Sequence, residues 1–134
     1  MLPNTARRLA VAVREQNCAD SPPVILLVTS DRDLRESAAS ALRSRGYHVL
    51  AAPHAGHAVL ACIDTPQVDV AAIELSMDDV SGPVLAERLR RRCPSLRSLY
   101  LAKAGTPECE GVLVRPFSRE DLVEKLIVSL PALT

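Results

Sequence analysis

Between residues 24 and 130 the chain alternates short apolar runs with longer stretches whose apolar residues recur every three or four positions. The run VILLVT at 24–29 is unbroken and of strand length, the pattern of a strand covered on both faces. SDRDLRESAASALRSRG follows as a predicted helix, with Ser30 or Asp31 as its cap, acids in its first turn and Gly46 as its stop. Leu34, Ala38, Ala41 and Leu42 form its inward stripe. YHVLAA predicts a second strand, and HAGHAVLACID a helix with Ala55, Ala58, Val59, Cys62 and Ile63 at helical spacing. VDVAAI at 68–73 predicts the third strand. GPVLAERLRRRC then reads as a helix with Pro83 near its first turn and Val84, Leu85 and Leu89 inside. RSLYLA at 97–102 and GVLV at 111–114 supply a fourth and a fifth strand. SREDLVEKLIVSL at 118–130 closes the series, with Ser118 and Asp121 spaced almost as a capping box.

Strands alternating with helices predict an α/β fold with a doubly wound parallel sheet. One alternation is defective. Only KAGTPECE separates the last two strands, where a parallel crossover takes about a dozen residues or more. The fourth crossover helix is therefore expected to be shortened or missing. Ahead of the alternation, residues 1–23 read as an N-terminal extension and linker, and residues 24–134 as the domain. TARRLAVAVREQ suits a short helix with Leu9 and Val13 on one face, and NCADSPP breaks it.

Composition then removes several function classes. With 16 basic and 16 acidic side chains the net charge is zero, so a global electrostatic grip on nucleic acid or anionic membrane is not expected. Aromatic residues are only Tyr47, Tyr100 and Phe117, too few for stacking platforms on single strands. Cys18, Cys62, Cys93 and Cys109 form no CxxC pair, and a chain with a full core suits reduced thiols and a cytoplasmic location. No apolar run reaches membrane-spanning length.

The isolated polar clusters are weak as sites. His54 and His57 lie three apart, with His48 on the preceding strand, but no further ligand accompanies them, so no metal is expected. Cys109 stands between two glutamates, an environment that disfavours a thiolate. Arg88, Arg90, Arg91, Arg92 and Arg97 read first as the solvated face of a helix, with binding of phosphate or an acidic partner as the sharper reading. No glycine-rich loop follows a strand, so nucleotide or flavin binding has no support.

Three stretches in this order and spacing resemble a known family: ILLVTSDRDLRESAASALRSRGYHV, VDVAAIELSMDDVSG and VLVRPFSREDL with its Pro116–Phe117 step. The chain resembles the receiver domain of two-component response regulators, and the short segment before GVLVRPFS is similar to receivers at the C-termini of hybrid histidine kinases. The resemblance implies a flavodoxin-like sheet of five parallel strands in the order 2-1-3-4-5. In that family an acidic pair after strand one holds Mg²⁺ and an aspartate ending strand three accepts a phosphoryl group. A hydroxyl ending strand four and a lysine before a cis-proline contact it.

Matched position by position, the acidic pair falls on Thr29 and Ser30 and the acceptor on Glu74. The hydroxyl falls on Ala102, the lysine on Arg115 and the aromatic switch on Val112. Hydroxyls cannot replace carboxylates around Mg²⁺, so its binding is not expected. Glutamate's extra methylene takes its oxygen out of register for in-line attack, and Ala102 cannot hydrogen-bond a phosphoryl oxygen. The expectation is a degenerate pseudo-receiver that is not an enzyme. Either Glu74 pairs with Arg115, with Thr29 or Ser30 donating hydrogen bonds, or both residues have drifted to the surface after loss of the reaction. It would act on a histidine kinase or another regulator, or as a homodimer, through protein contacts. Two alternatives stand beside it: an atypical phosphoacceptor using Asp78 or Asp79, and a flavodoxin-like small-ligand binder.

Overall fold

The structure, a computed structural model, describes residues 22–65, 67–78 and 80–130. The helix expected in residues 1–21, together with Cys18 and Asp79, lies outside the described residues. Nine elements follow one another: β1 Val24–Val28, α1 Arg32–Ser44, β2 His48–Ala52, α2 Ala55–Asp64, β3 Val70–Glu74, α3 Gly82–Arg92, β4 Arg97–Ala102, β5 Val112–Val114 and α4 Arg119–Ser129. All five strands are parallel, in the order β2-β1-β3-β4-β5. The strand order is the expected one, and β4 leads to β5 with no helix between them, as expected.

The sheet separates two apolar layers. Ala55, Ala58 and Cys62 of α2 and Leu85, Ala86 and Leu89 of α3 pack with Leu26, Val28, Ala71 and Ile73 on one face. Ala38, Ala39 and Leu42 of α1 and Leu122, Val123 and Leu126 of α4 pack with Ile25, Leu27, Val70 and Leu99 on the other. Successive strand residues feed opposite layers, so the central strands have to be apolar throughout.

Helix starts follow their caps. Asp31 accepts from the backbone N–H of Leu34, and Ser81 from that of Val84. Ser118 and Asp121 form the reciprocal capping box. Residues 103–111 cross from β4 to β5 without a helix. Gly111 ends that crossing at φ 83, and its carbonyl accepts from the N–H of Tyr100 at 2.8 Å. A side chain at this left-handed angle would strain the step into β5.

The sequence reading differs in detail at one strand end and at four helix residues. β3 runs 70–74, so that Glu74 is the last residue of the strand itself. Ile63 and Val84 are not core residues: they are 47% and 45% exposed. Ala39 and Ala86 are buried instead. Small residues are needed where a helix approaches the sheet closely, and periodicity alone does not distinguish them from the flank of the stripe.

Candidate functional site

Three strand ends place the polar residues together. β1 ends at Val28 with Thr29 next, β3 ends on Glu74, and Arg115 follows β5 directly. Parallel strands bring these C-terminal ends to one edge of the sheet. The Arg115 N–H donates to the carbonyl of Ala102 at 2.9 Å, so β4 fixes where the arginine leaves the sheet. The Arg115–Pro116 bond is cis.

Glu74 and Arg115 form a two-pronged pair. Arg115 Nη1 donates to Oε1 at 3.2 Å and Nη2 donates to Oε2 at 2.7 Å. The planar guanidinium presents two parallel N–H groups, which match the two carboxylate oxygens. Behind it, the guanidinium carbon lies 5.2 Å from the centre of the Phe117 ring, within cation–π range. The pairing expected from sequence is present.

Thr29 anchors the pair from β1. Its hydroxyl donates to Glu74 Oε2 at 2.6 Å and accepts from the Asp31 N–H at 3.1 Å. Its own N–H donates to the Ala52 carbonyl, and its carbonyl accepts from Arg35 Nη1 at 2.8 Å. Thr29 is 2% exposed, and each of its polar atoms has a partner. The Glu74 carboxylate thus receives three hydrogen bonds, two of them from a cation. Of the two hydroxyls expected to support Glu74, Thr29 does so; Ser30 is exposed and lines the neighbouring cleft.

That cleft, about 500 Å³, is bordered by Ser30, Asp31, His54, Glu74, Asp78 and Arg115, among others. It is more acidic than one glutamate facing one arginine would make it, because Asp31 and Asp78 also border it. Asp31 Oδ1 is held by the Leu34 N–H, and Asp78 is exposed. His54 has a role that the sequence reading missed. Its Nδ1 accepts from the His57 N–H at 3.2 Å, so the imidazole caps α2. The signal was its place immediately before the first helical residue. The His54 and His57 rings lie 5.9 Å apart, and His48 is exposed on β2. Among the described residues, no three of His, Cys, Asp and Glu are grouped to hold a metal ion.

Ala102 and Val112 occupy β4 and β5. Ala102 is buried and in register with Val114, whereas Val112 is half-buried opposite Tyr100. A methyl group and an isopropyl group give this part of the edge no hydrogen-bonding capacity beyond the backbone.

Residues 25–127 match the family described as response regulator receiver domain. The chain belongs to that family. The receiver identity carries a general place in two-component signalling. A protein named "Probable transcriptional regulatory protein TcrX", from Mycobacterium tuberculosis, is 29% identical over 118 residues, which cover 81% of this chain and 50% of the relative. The chain therefore spans about half the length of the curated relative it matches. Among solved structures, the receiver domain from the hybrid histidine kinase CckA superposes with a TM-score of 0.68 at 25% identity, covering 81% of this chain and 99% of the other. Chemotaxis protein CheY4 of Vibrio cholerae has the same fold, with a TM-score of 0.66 at 20% identity over 82% of this chain and all of the other. No helix among the described residues is long and apolar enough to cross a membrane.

Proposed function

We propose that this receiver is a phosphorylation-independent signalling module, a pseudo-receiver that works through protein–protein contacts in a two-component or phosphorelay system. The observation that carries the reading is the bidentate Glu74–Arg115 pair. A phosphoacceptor needs a free carboxylate oxygen facing an incoming phosphorus, and both Glu74 oxygens are engaged. Thr29 and Ser30 offer hydroxyls where the family's Mg²⁺ requires carboxylates, and the Thr29 hydroxyl proton is directed at Glu74. This donor set does not fit the ion. Ala102 and Val112 leave neither the hydroxyl nor the aromatic ring through which receivers report phosphorylation. On this reading residues 24–134 are the signalling unit and catalyse no reaction.

Similarity to the receiver of a hybrid histidine kinase supports a kinase-type partner, with another regulator or a second copy of the chain as the other choices. An atypical acceptor remains the competing reading because Asp78 is exposed on the same cleft as Arg115. Incubation with acetyl phosphate and Mg²⁺, read by intact-protein mass, separates the two. The proposal expects no phosphoryl adduct. An adduct that Asp78→Asn abolishes would establish the competing reading.

A further inference from the structure

The two large apolar residues that α2 leaves in solvent are Leu60, 62% exposed, and Ile63, 47% exposed. They lie three apart and so share one flank of the helix. That flank can be assigned. On α3, Arg90 follows the buried Leu89 by one residue and reaches over β4, where its Nη1 donates to Ser98 Oγ at 3.2 Å. Ile63 follows the buried Cys62 of α2 by one residue in the same way. Both helices lie on the same face of a parallel sheet, each running back after its strand, so Ile63 is turned in the direction of Arg90. From α2 that direction is toward α3.

The facing flank of α3 is basic. At about 100° per residue, Arg88 and Arg92 fall about 160° round the axis from Arg90, on the α2 side. Val84, one turn before Arg88, is 45% exposed. Arg90 has Glu87 at 3.4 Å, whereas Arg88 and Arg92 have no carboxylate within 4.0 Å among the described residues. The seam between two packed helices is thus apolar along Leu60 and Ile63 and edged by guanidinium groups with no ionic partner among the described residues.

We infer that the α2–α3 seam, from Leu60 and Ile63 to Arg88 and Arg92, docks an acidic amphipathic helix of a protein partner. A helix laid along the seam buries its apolar stripe on Leu60, Ile63 and Val84. Its flanking carboxylates meet the two arginines, whose forked donors suit them. An anionic bilayer is the weaker occupant: the chain has zero net charge, and Asp64 ends α2 beside the seam. The inference stands apart from the Glu74–Arg115 site, so either can fail without the other.

The test is amide NMR on the full chain, titrated with two synthetic helices and with phosphatidylglycerol vesicles. The helices share one leucine stripe; one carries glutamate flanks and the other lysine flanks. The inference expects saturable shifts on α2 and α3 with the acidic helix alone. Leu60→Ser with Ile63→Ser should weaken that binding about tenfold or more, the loss of roughly one buried apolar side chain's contribution. Arg88→Glu with Arg92→Glu should transfer binding to the lysine-flanked helix. All four positions are exposed, and a thermal melt confirms that the variants fold. Absence of shifts, equal binding of both helices, binding unaffected by the substitutions, or shifts produced by the vesicles in place of the acidic helix would each overturn it.

Discussion

The Glu74 carboxylate is accommodated at the end of a buried strand because three donors replace the water it loses, two of them on a guanidinium that is itself about one-third exposed. Removing either partner leaves the other poorly matched, so Glu74→Ala and Arg115→Ala should each destabilise the fold by about 1–3 kcal/mol, with the partial exposure keeping the cost below that of a fully buried pair. The double variant should cost less than the sum, a coupling that denaturant melts of the four proteins measure directly. The pair was half legible in the sequence: a lengthened carboxylate and a forked cation fit each other, but nothing in the sequence kept both residues from drifting to the surface instead. The caps were only partly legible. Asp31 and Ser118 are ordinary cap residues, but His54 accepts through an imidazole nitrogen that pattern rules do not count.

A second residue-scale effect concerns Cys62. Burial, then the adjoining Cys93, pushes its thiol from the ordinary 9.0 up to about 12. The folded protein holds this proton more tightly than the unfolded chain does. The contribution is therefore complete below about pH 9 and lost as pH rises toward 12. Cys62→Ala should flatten the decline of the urea midpoint above pH 9 relative to the parent chain, whatever its effect at neutral pH.

Gly82 shows how an element is held at the distance the site requires. It opens α3 directly under the end of β3, and its N–H donates to the Leu75 carbonyl at 2.9 Å. A Cβ there would stand 2.5 Å from the Glu74 carbonyl oxygen and 3.1 Å from the Leu75 Cα, both backbone atoms that cannot swing aside. Gly82→Ala should force α3 away from β3 and cost about 1–3 kcal/mol, read as a lowered melting temperature. Other features at this scale escaped the sequence. Ile63 and Val84 have the right period for the core but fall on its margins, where the approach of a neighbouring helix rather than hydropathy decides burial. Residues 103–111 were legible as a broken crossover, because Gly105 and Pro107 interrupt any helix of useful length.

Across the whole molecule, the alternation of strand and helix was enough to predict a doubly wound sheet, and the resemblance to receivers implied the strand order β2-β1-β3-β4-β5 that the structure has. That topology decides which residues meet: Thr29, Glu74 and Arg115 are far apart in the chain and converge because their strands are parallel and adjacent or nearly so. Asp31 and Asp78 border the same cleft through loop geometry; Asp78 was expected near Glu74 as an alternative acceptor, whereas Asp31 was expected only as a helix cap. The central claim is that this edge of the sheet is closed to phosphoryl chemistry by an internal ion pair. The most direct measurement is the amide NMR spectrum of the full chain before and after Mg²⁺ and beryllofluoride are added together. The signals of Glu74, Leu75, Ala102 and Arg115 should stay in place. Saturable shifts centred on those residues would contradict that claim.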